Sequence, residues 1–177
     1  MLGHGVKWGG HGGTQTEYLR VAWADANLQP IPAGLSEEQA IFAGDILSTG
    51  YQACEYGSIR PGDVVAIFGA GPGGCCAVAA AWLFGPRRIV SVDLVNYRLE
   101  AAKRLGADIV INASQKNPVE EIKKMTDGKG VDVAIEAVGS IETFDGCFES
   151  VRPAGRVSIV GVFPFIKVGV SLRDMLR

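Results

Sequence analysis

The sequence lacks the long apolar runs and the excess of one charge that mark membrane-spanning and nucleic-acid-binding proteins. Its longest apolar run, Cys75 to Phe84, has ten residues, which is too short to span a bilayer. The formal net charge is −2, so the chain offers no basic surface to nucleic acid or to an anionic membrane. The segment from Met1 to His4 has neither the charged nor the apolar region of a secretory signal. We therefore expect a cytoplasmic protein with neither nucleic acid nor a membrane as a partner.

Closely spaced metal ligands are also scarce in this sequence. None of the four cysteines forms a CxxC pair or another spacing typical of a closed zinc site. Two of them are adjacent in a run of small apolar residues, where a thiol usually behaves as a small buried hydrophobe. We predict a structural role for all four, which are Cys54, Cys75, Cys76 and Cys147.

From residue 61 onward, apolar segments of strand length alternate with segments of helical character. The five apolar segments are residues 64–68, 89–92, 109–111, 133–135 and 157–160. Between them lie residues that commonly open or cap helices, which are Pro72, Asn96, Pro118 and Ser140. Strands that are apolar throughout and alternate with helices are typical of a parallel sheet covered on both faces. The sequence therefore predicts an α/β fold, a doubly wound parallel sheet of about five strands with helices on both faces.

The first 60 residues are less regular. Residues 1–13 contain six glycines and two histidines, which is typical of a loop or a frayed end. Near-alternation of apolar residues predicts a strand over 16–23. Ser36 and Gln39 form a capping-box pattern that predicts a short helix, and a second helix is expected over 48–56.

Residues 69–74 read Gly-Ala-Gly-Pro-Gly-Gly and satisfy the pattern G-x-G-x-x-G. A predicted strand precedes this loop, a helix follows it, and an acidic residue lies 19 positions beyond Gly74 at the end of the second strand. These are the conditions of the dinucleotide-binding fingerprint, in which the glycines allow a tight turn, close approach to a pyrophosphate and close helix packing. The pattern predicts a Rossmann domain whose cofactor-binding residues include Gly69, Gly71, Pro72, Gly73 and Gly74. The alternative is a tight strand-to-helix turn without a ligand.

The acidic residue is Asp93, and its position favours NAD as the cofactor. A carboxylate there can accept hydrogen bonds from both hydroxyls of the adenosine ribose, whereas a 2′-phosphate would meet like charge, so NAD is preferred to NADP. The alternative for Asp93 is a loop or helix-capping carboxylate.

Motifs along nearly the whole chain resemble the zinc-type medium-chain alcohol dehydrogenases. Residues 13–21 (Gly-Thr-Gln-Thr-Glu-Tyr-Leu-Arg-Val) resemble the segment before the cofactor domain of that family, and residues 45–51 (Asp-Ile-Leu-Ser-Thr-Gly-Tyr) resemble the stretch with its third catalytic zinc ligand. The likeness continues through residues 61–65, 104–107, 130–132, 152–156 and 159–162. It implies that residues 1–35 are a remnant of a GroES-like catalytic domain. Residues 36–177 would then form a Rossmann domain truncated before its last strand.

The resemblance also implies roles for individual residues. Asp45 stands where relatives have a cysteine or aspartate ligand of the catalytic zinc, and Thr49 matches a residue beside the nicotinamide ring with a part in catalysis. Arg98 matches a basic residue near the adenosine ribose, and Gly139 matches the loop that passes the cofactor after the fourth strand. The segment whose backbone meets the nicotinamide carboxamide corresponds to Val160, Gly161 and Val162.

Parts of the family pattern are absent. The family's other two zinc ligands, an early cysteine and a histidine followed by glutamate, do not occur; His4 precedes Gly5, and we interpret His4 and His11 as loop residues. The four-cysteine structural zinc loop is missing as well. A catalytic zinc needs three protein ligands and one open position. We therefore expect zinc in the intact family enzyme, but weak or no zinc binding and no appreciable dehydrogenase activity in this fragment.

Three functions stay open at this point. The first is an NAD-dependent oxidoreductase of the zinc alcohol dehydrogenase type, acting on an alcohol or aldehyde. The second is a module that binds NAD without chemistry, and the third is a zinc-independent quinone or enone reductase of the same superfamily. Asp45 and the pair Glu17-Tyr18 favour the zinc branch. A homodimer is also expected, since relatives commonly dimerise near the fifth strand and an exposed strand there, or in 168–172, invites pairing.

Overall fold

The computed structural model of the chain describes residues 6–164 and Gly169, with Trp8 described by its backbone alone. His4 and, apart from Gly169, the segment 168–172 lie outside the described residues. The chain divides into two compact units, Met1–Ala40 and Ile41–Arg177. No helix in the described part of the chain is long and apolar enough to cross a membrane.

The first unit has only short helical segments among its described residues. These are a 3-10 turn at Val6–Trp8 and the helices α1 (Ala24–Asn27) and α2 (Glu37–Ala40). The capping box forms at α2, where the Ser36 amide donates to Gln39 Oε1 over 3.0 Å and the Gln39 amide donates to Ser36 Oγ over 3.3 Å.

The predicted strand over 16–23 is wrong. These residues form bends and a turn, and Tyr18 is 90% exposed. Trp23 takes a left-handed backbone conformation with φ of 54°, which ends any extended segment. A strand is stable only beside a partner that completes its hydrogen bonds, and no other strand occurs among the described residues of this unit. Alternation of apolar residues was therefore not sufficient to form one.

In its described residues, the second unit has five strands and five helices. The strands are β1 (Val64–Phe68), β2 (Arg88–Asp93), β3 (Ile109–Asn112), β4 (Val131–Glu136) and β5 (Val151–Ile159). The helices are α3 (Ile46–Tyr56), α4 (Pro72–Ala81), α5 (Asn96–Arg104), α6 (Pro118–Met125) and α7 (Ile141–Ser150), with 3-10 turns at Ile41–Gly44 and Trp82–Phe84.

All strand pairs are parallel, and the strand order is β3-β2-β1-β4-β5. The chain adds β2 and β3 on one side of β1 and then crosses to add β4 and β5 on the other side. This order is that of the first five strands of the classic dinucleotide-binding sheet, with the switch point between β1 and β4. The predicted fold class, a doubly wound parallel sheet of about five strands, is confirmed.

The core consists of two layers, one on each face of the sheet, because alternate residues of a strand point to opposite faces. On one face Val65 and Ile67 of β1 pack in a cluster with residues of α3, α4 and α5. On the other face Ala66 and Phe68 pack in a cluster that includes Ile122 of α6 and Cys147 of α7. Helices thus cover both faces, as the uninterrupted apolar strands indicated.

Several element boundaries differ from the prediction. β5 begins at Val151 rather than near 157, and residues 153–155 lie inside it at a register shift, with Ala154 at φ of 58°. Asn96 is the first residue of α5 rather than its cap, and its side-chain oxygen accepts a hydrogen bond from Asn112 instead. Ser140 does cap α7, since its hydroxyl accepts from the Thr143 amide over 3.2 Å.

The four cysteines are free thiols. Cys54 and Cys147 are fully buried, while Cys75 and Cys76 are half-buried. Burial raises the pKa of Cys54 to about 12, which keeps this thiol protonated and unreactive at neutral pH.

Two neighbouring glycines of α4 differ sharply in the space around them, which gives a matched test of the packing. A Cβ on Gly74 would overlap the carbonyl oxygen of Gly69, whereas a Cβ on Gly73 meets nothing within 4 Å. We expect Gly74→Ala to lower the free energy of unfolding by about 1–3 kcal/mol. Gly73→Ala should leave it unchanged or raise it by up to about 1 kcal/mol through helix propensity. Urea unfolding followed by circular dichroism measures both, and equal stability of the two variants would contradict the packing.

Candidate cofactor site

The glycine loop connects the end of β1 to the start of α4 at the carboxyl edge of the sheet. Gly69 has φ of 101°, a left-handed conformation that glycine adopts without strain, and its amide donates to the Val92 carbonyl over 2.8 Å. Pro72 is the first residue of α4, and Gly71 caps the helix without a side chain. The start of α4 therefore presents backbone amides that lack intrahelical partners, with the positive end of the helix dipole behind them.

The glycines of this loop divide into packed and open positions. A Cβ on Gly69 would collide with Val138 and Ala137, and one on Gly74 would overlap Gly69. In contrast, Gly71 and Gly73 have open space where a Cβ would stand. Gly74 thus allows α4 to lie close to the end of β1, and Gly69 allows the segment after β4 to do so. The open pair leaves the backbone accessible to an anion such as a pyrophosphate.

Asp93 lies at the carboxyl end of β2 and joins it to the glycine loop. Its Oδ2 accepts a hydrogen bond from the Ala70 amide over 2.8 Å, and its Oδ1 accepts from the Val95 amide over 2.9 Å. The carboxyl group of Asp93 therefore accepts hydrogen bonds from loop amides, the role given above as the alternative to ribose binding. Each carboxylate oxygen has a second lone pair, so the same side chain can also accept from the hydroxyls of a ribose.

Arg98 stands beside this carboxyl group on α5. Its Nη1 lies 3.9 Å from Asp93 Oδ2, and its side chain is largely exposed. The pKa of Arg98 is raised by the hydrogen bond from its Nε to the Tyr97 hydroxyl and by the charge of Asp93. A permanent positive charge therefore lies at the outer side of the position predicted for the adenosine ribose.

Segments after β4 and β5 meet on the other side of the switch point. Gly139 has φ of 93°, and a Cβ there would overlap the carbonyl of Val162. A Cβ on Gly161 would overlap the Glu136 carboxyl group and the Gly139 amide. The predicted cofactor residues of these two segments, Gly139 and 160–162, are therefore in close contact, and Val162 is 87% exposed.

Glu136 belongs to this region although no sequence motif indicated it. It is fully buried at the end of β4, and its carboxyl group accepts hydrogen bonds from residues of the following loop. The available signal was a single acidic residue that ends an otherwise apolar strand, residues 133–136. Buried glutamates are rare unless they are paired, so this position differs from an ordinary surface carboxylate.

Asp45 and Thr49 form a pair at the start of α3. The Thr49 hydroxyl donates to Asp45 Oδ1 over 3.0 Å, and Asp45 is exposed. Next to Thr49, Gly50 packs against Cys76 and Ala77 of α4, where a Cβ would be within 2.6 Å of the Ala77 nitrogen. This close helix contact brings the Asp45–Thr49 pair near the helix that starts at the glycine loop.

The zinc site that the resemblance implies is not complete within the described residues. Over residues 6–164 and 169, no three histidine, cysteine, aspartate or glutamate side chains come together in a group able to hold a metal ion. Asp45 supplies a single carboxylate, whereas a catalytic zinc takes three protein ligands. The described residues thus fit a dinucleotide but do not by themselves fit zinc.

Comparison with known proteins identifies the family. The pattern of the zinc-binding dehydrogenases matches residues 58–177. An alcohol dehydrogenase of Cupriavidus necator is 46% identical over 151 residues, which cover 85% of this chain and 41% of that protein. An NADP-dependent isopropanol dehydrogenase of Entamoeba histolytica is 36% identical over 152 residues, covering 84% of this chain and 42% of that protein.

Solved structures agree with the sequence comparison. The alcohol dehydrogenase TADH from Thermus sp. ATN1 superposes with a TM-score of 0.89 at 46% identity, covering 95% of this chain and 48% of that one. The chain belongs to the zinc-binding dehydrogenase family, and the resemblance to zinc-type alcohol dehydrogenases is confirmed. It spans less than half the length of these three relatives.

The open position at Gly71 gives a test of cofactor approach that is separate from folding. Because a Cβ there meets no protein atom within 4 Å, Gly71→Ala should change the free energy of unfolding by less than about 1 kcal/mol. If a pyrophosphate lies against this backbone, the added methyl group should raise the dissociation constant of NAD by at least about tenfold. Calorimetric titration measures the affinity, and unchanged NAD binding by a folded variant would contradict the assigned approach.

Proposed function

We propose that this chain binds NAD across the carboxyl edge of its sheet as the cofactor domain of a zinc-type alcohol dehydrogenase. The observation that carries the proposal is the link between the glycine loop and Asp93, the 2.8 Å hydrogen bond from the Ala70 amide to Oδ2. It brings together the two parts of the fingerprint, an anion-binding helix start and an acidic acceptor for a ribose.

The sheet order supports the orientation of the cofactor. In this fold a dinucleotide lies over the switch point, with the pyrophosphate at the glycine loop. Asp93 and Arg98 would contact the adenosine half, since Asp93 ends β2 and Arg98 lies on the helix after it. The nicotinamide half would then lie over β4 and β5, where Gly139 and residues 160–162 meet.

The choice of NAD over NADP is supported by the carboxyl group of Asp93. A 2′-phosphate beside it would meet like charge, and the carboxyl group is already held in place by two amides. Arg98 favours the opposite choice, because its guanidinium group is 3.9 Å away and could pair with a phosphate. We give Asp93 the greater weight, in favour of NAD, because its side chain is 8% exposed and held by two amides, while the Arg98 side chain is 44% exposed.

In the proposed reaction, hydride passes between an alcohol or aldehyde and the nicotinamide. Zinc, when held in the intact enzyme, would supply a Lewis acid for the substrate oxygen. Asp45 is the proposed ligand in this chain. Thr49 is placed to hold the Asp45 carboxyl group through its hydroxyl and is the proposed residue beside the nicotinamide ring.

The NAD proposal is tested by calorimetric titration with NAD and with NADP. We expect the parent chain to bind NAD at least about tenfold more tightly, since a like-charge contact of this kind costs more than 1.4 kcal/mol. Asp93→Ala should weaken NAD binding and bring the dissociation constants of NAD and NADP closer together. Asp145→Ala, which removes an exposed aspartate of α7, is the matched control. Equal affinity of the parent for NAD and NADP would contradict the preference, and no binding of either at millimolar concentration would overturn the cofactor site.

Zinc analysis and an alcohol-oxidation assay on the same sample separate an enzyme from a binding module. A non-catalytic NAD-binding role for this chain alone is favoured by the lone carboxylate of Asp45 among the described residues. We expect NAD binding without stoichiometric zinc and without appreciable oxidation of simple alcohols. Zinc at one equivalent with turnover would contradict this part of the proposal, while leaving the cofactor site intact. The family match favours the zinc branch over a zinc-independent reductase.

We also propose that the chain forms a homodimer through the edge of its sheet. Within the described residues β5 pairs on one side only, with β4, and an unpaired edge offers backbone donors and acceptors to another chain. Size-exclusion chromatography with light scattering should give twice the 18.7 kDa mass of the chain. A single monomer peak at high protein concentration would contradict the dimer.

A further inference from the structure

Glu136 is a fully buried acid that the cofactor fingerprint does not explain. It ends β4, and its side chain has no exposed surface. The strand residues before it, Ala134 and Ile135, are core residues. An acidic side chain in such a place lowers stability unless its polar atoms are satisfied.

One carboxyl oxygen of Glu136 accepts three hydrogen bonds. Its Oε1 accepts from the Val138 amide over 3.0 Å, from the Gly139 amide over 2.9 Å and from the Thr143 hydroxyl over 2.6 Å. The backbone carbonyl of the same residue accepts from the amides of Val160 over 2.9 Å and Gly161 over 3.1 Å. Glu136 therefore fixes three segments at once: the loop after β4, the first turn of α7 and the exit of β5.

The second carboxyl oxygen, Oε2, is buried and has no hydrogen-bond partner among the described residues. It lies against Gly161, where a Cβ would overlap both Oε2 and the Gly139 amide. An unpartnered buried oxygen is costly, and an apolar side chain would remove that cost only by depriving three donors of the acceptor they have in Oε1. Unsatisfied buried polar groups are few in native structures, and each calls for an explanation.

The segments held by Glu136 are those on the nicotinamide side of the switch point. Asp93 marks the adenosine side at the end of β2, and β4 and β5 lie beyond β1 in the opposite direction. We propose that Glu136 is a positioning residue for the nicotinamide half of the cofactor. It holds the loop 137–139 against the exit of β5 so that both backbones keep the spacing a nicotinamide requires. This inference rests on the proposed function, since it presupposes that a dinucleotide binds at this edge.

The test compares NAD with ADP-ribose, which has the adenosine and pyrophosphate parts but no nicotinamide. Glu136→Gln preserves the size of the side chain and one acceptor oxygen, but replaces the other oxygen with an amide group that must also be buried. We expect this variant to weaken NAD binding by roughly tenfold or more and ADP-ribose binding by less than about twofold. Calorimetric titration measures both. Glu149→Gln, which removes an exposed glutamate of α7, is the matched control and should bind both ligands like the parent chain.

A second pair of variants keeps the inference testable if Glu136→Gln does not fold. Thr143→Val removes one donor to Oε1 and should also weaken NAD more than ADP-ribose, whereas Thr143→Ser retains the hydroxyl and should restore NAD binding. A merely structural role would lower the melting temperature and weaken both ligands together. That result, or equal affinities in all variants, would overturn the positioning role and leave the proposed function intact. A parent chain that binds neither ligand would overturn both.

Discussion

The contact between Gly74 and the Gly69 carbonyl is the constraint on which the rest of the site depends. It allows α4 to start directly behind β1, because no side chain separates the helix from the loop. Only at this separation do the first amides of α4 face the carboxyl edge of the sheet. The Ala70 amide, one residue after Gly69, then lies within hydrogen-bond distance of Asp93. A second close approach, at Gly50, places α3 against the same helix.

An acidic residue ends each of the two strands that flank β1, one on each side of the switch point. Asp93 ends β2 and binds amides of its own loop and of the glycine loop. Glu136 ends β4 and binds amides of the loop that follows it. In both cases a carboxyl group accepts from amides of residues just beyond a strand, so that the chain turns away from the sheet without leaving these donors unpaired. The carboxyl edge is therefore shaped by side chains as much as by the turns themselves.

The sequence was sufficient for the parts of the fold that depend on local pattern. Uninterrupted apolar segments predicted β1 to β4 within one or two residues at each end, and the glycines at 69–74 with Asp93 predicted the helix start and its acidic neighbour. Features that depend on a distant partner were not predictable. The alternation at 16–23 could not reveal that no neighbouring strand exists among the described residues. Nor did the sequence indicate the early start of β5, which has extra residues between Val151 and Arg156 where its register against β4 shifts. Glu136 was missed because its full burial and the close approach of Gly161 to its carboxyl group arise only when β4 and the segment after β5 come together.

The double use of Asp93 has a consequence for redesign of the cofactor preference. Exchanging this acid for a small neutral residue, the obvious step toward accepting a 2′-phosphate, would also remove the acceptor of the Ala70 amide. The glycine loop would lose one of the bonds that fix its path, and the gain at the ribose would be offset by a less ordered pyrophosphate cradle. A substitution at this position must therefore keep the hydrogen bond from the Ala70 amide and also remove the negative charge beside the ribose. A neutral side chain that still accepts a hydrogen bond would do both. In the proposed site, cofactor preference and loop geometry therefore cannot be changed independently of each other.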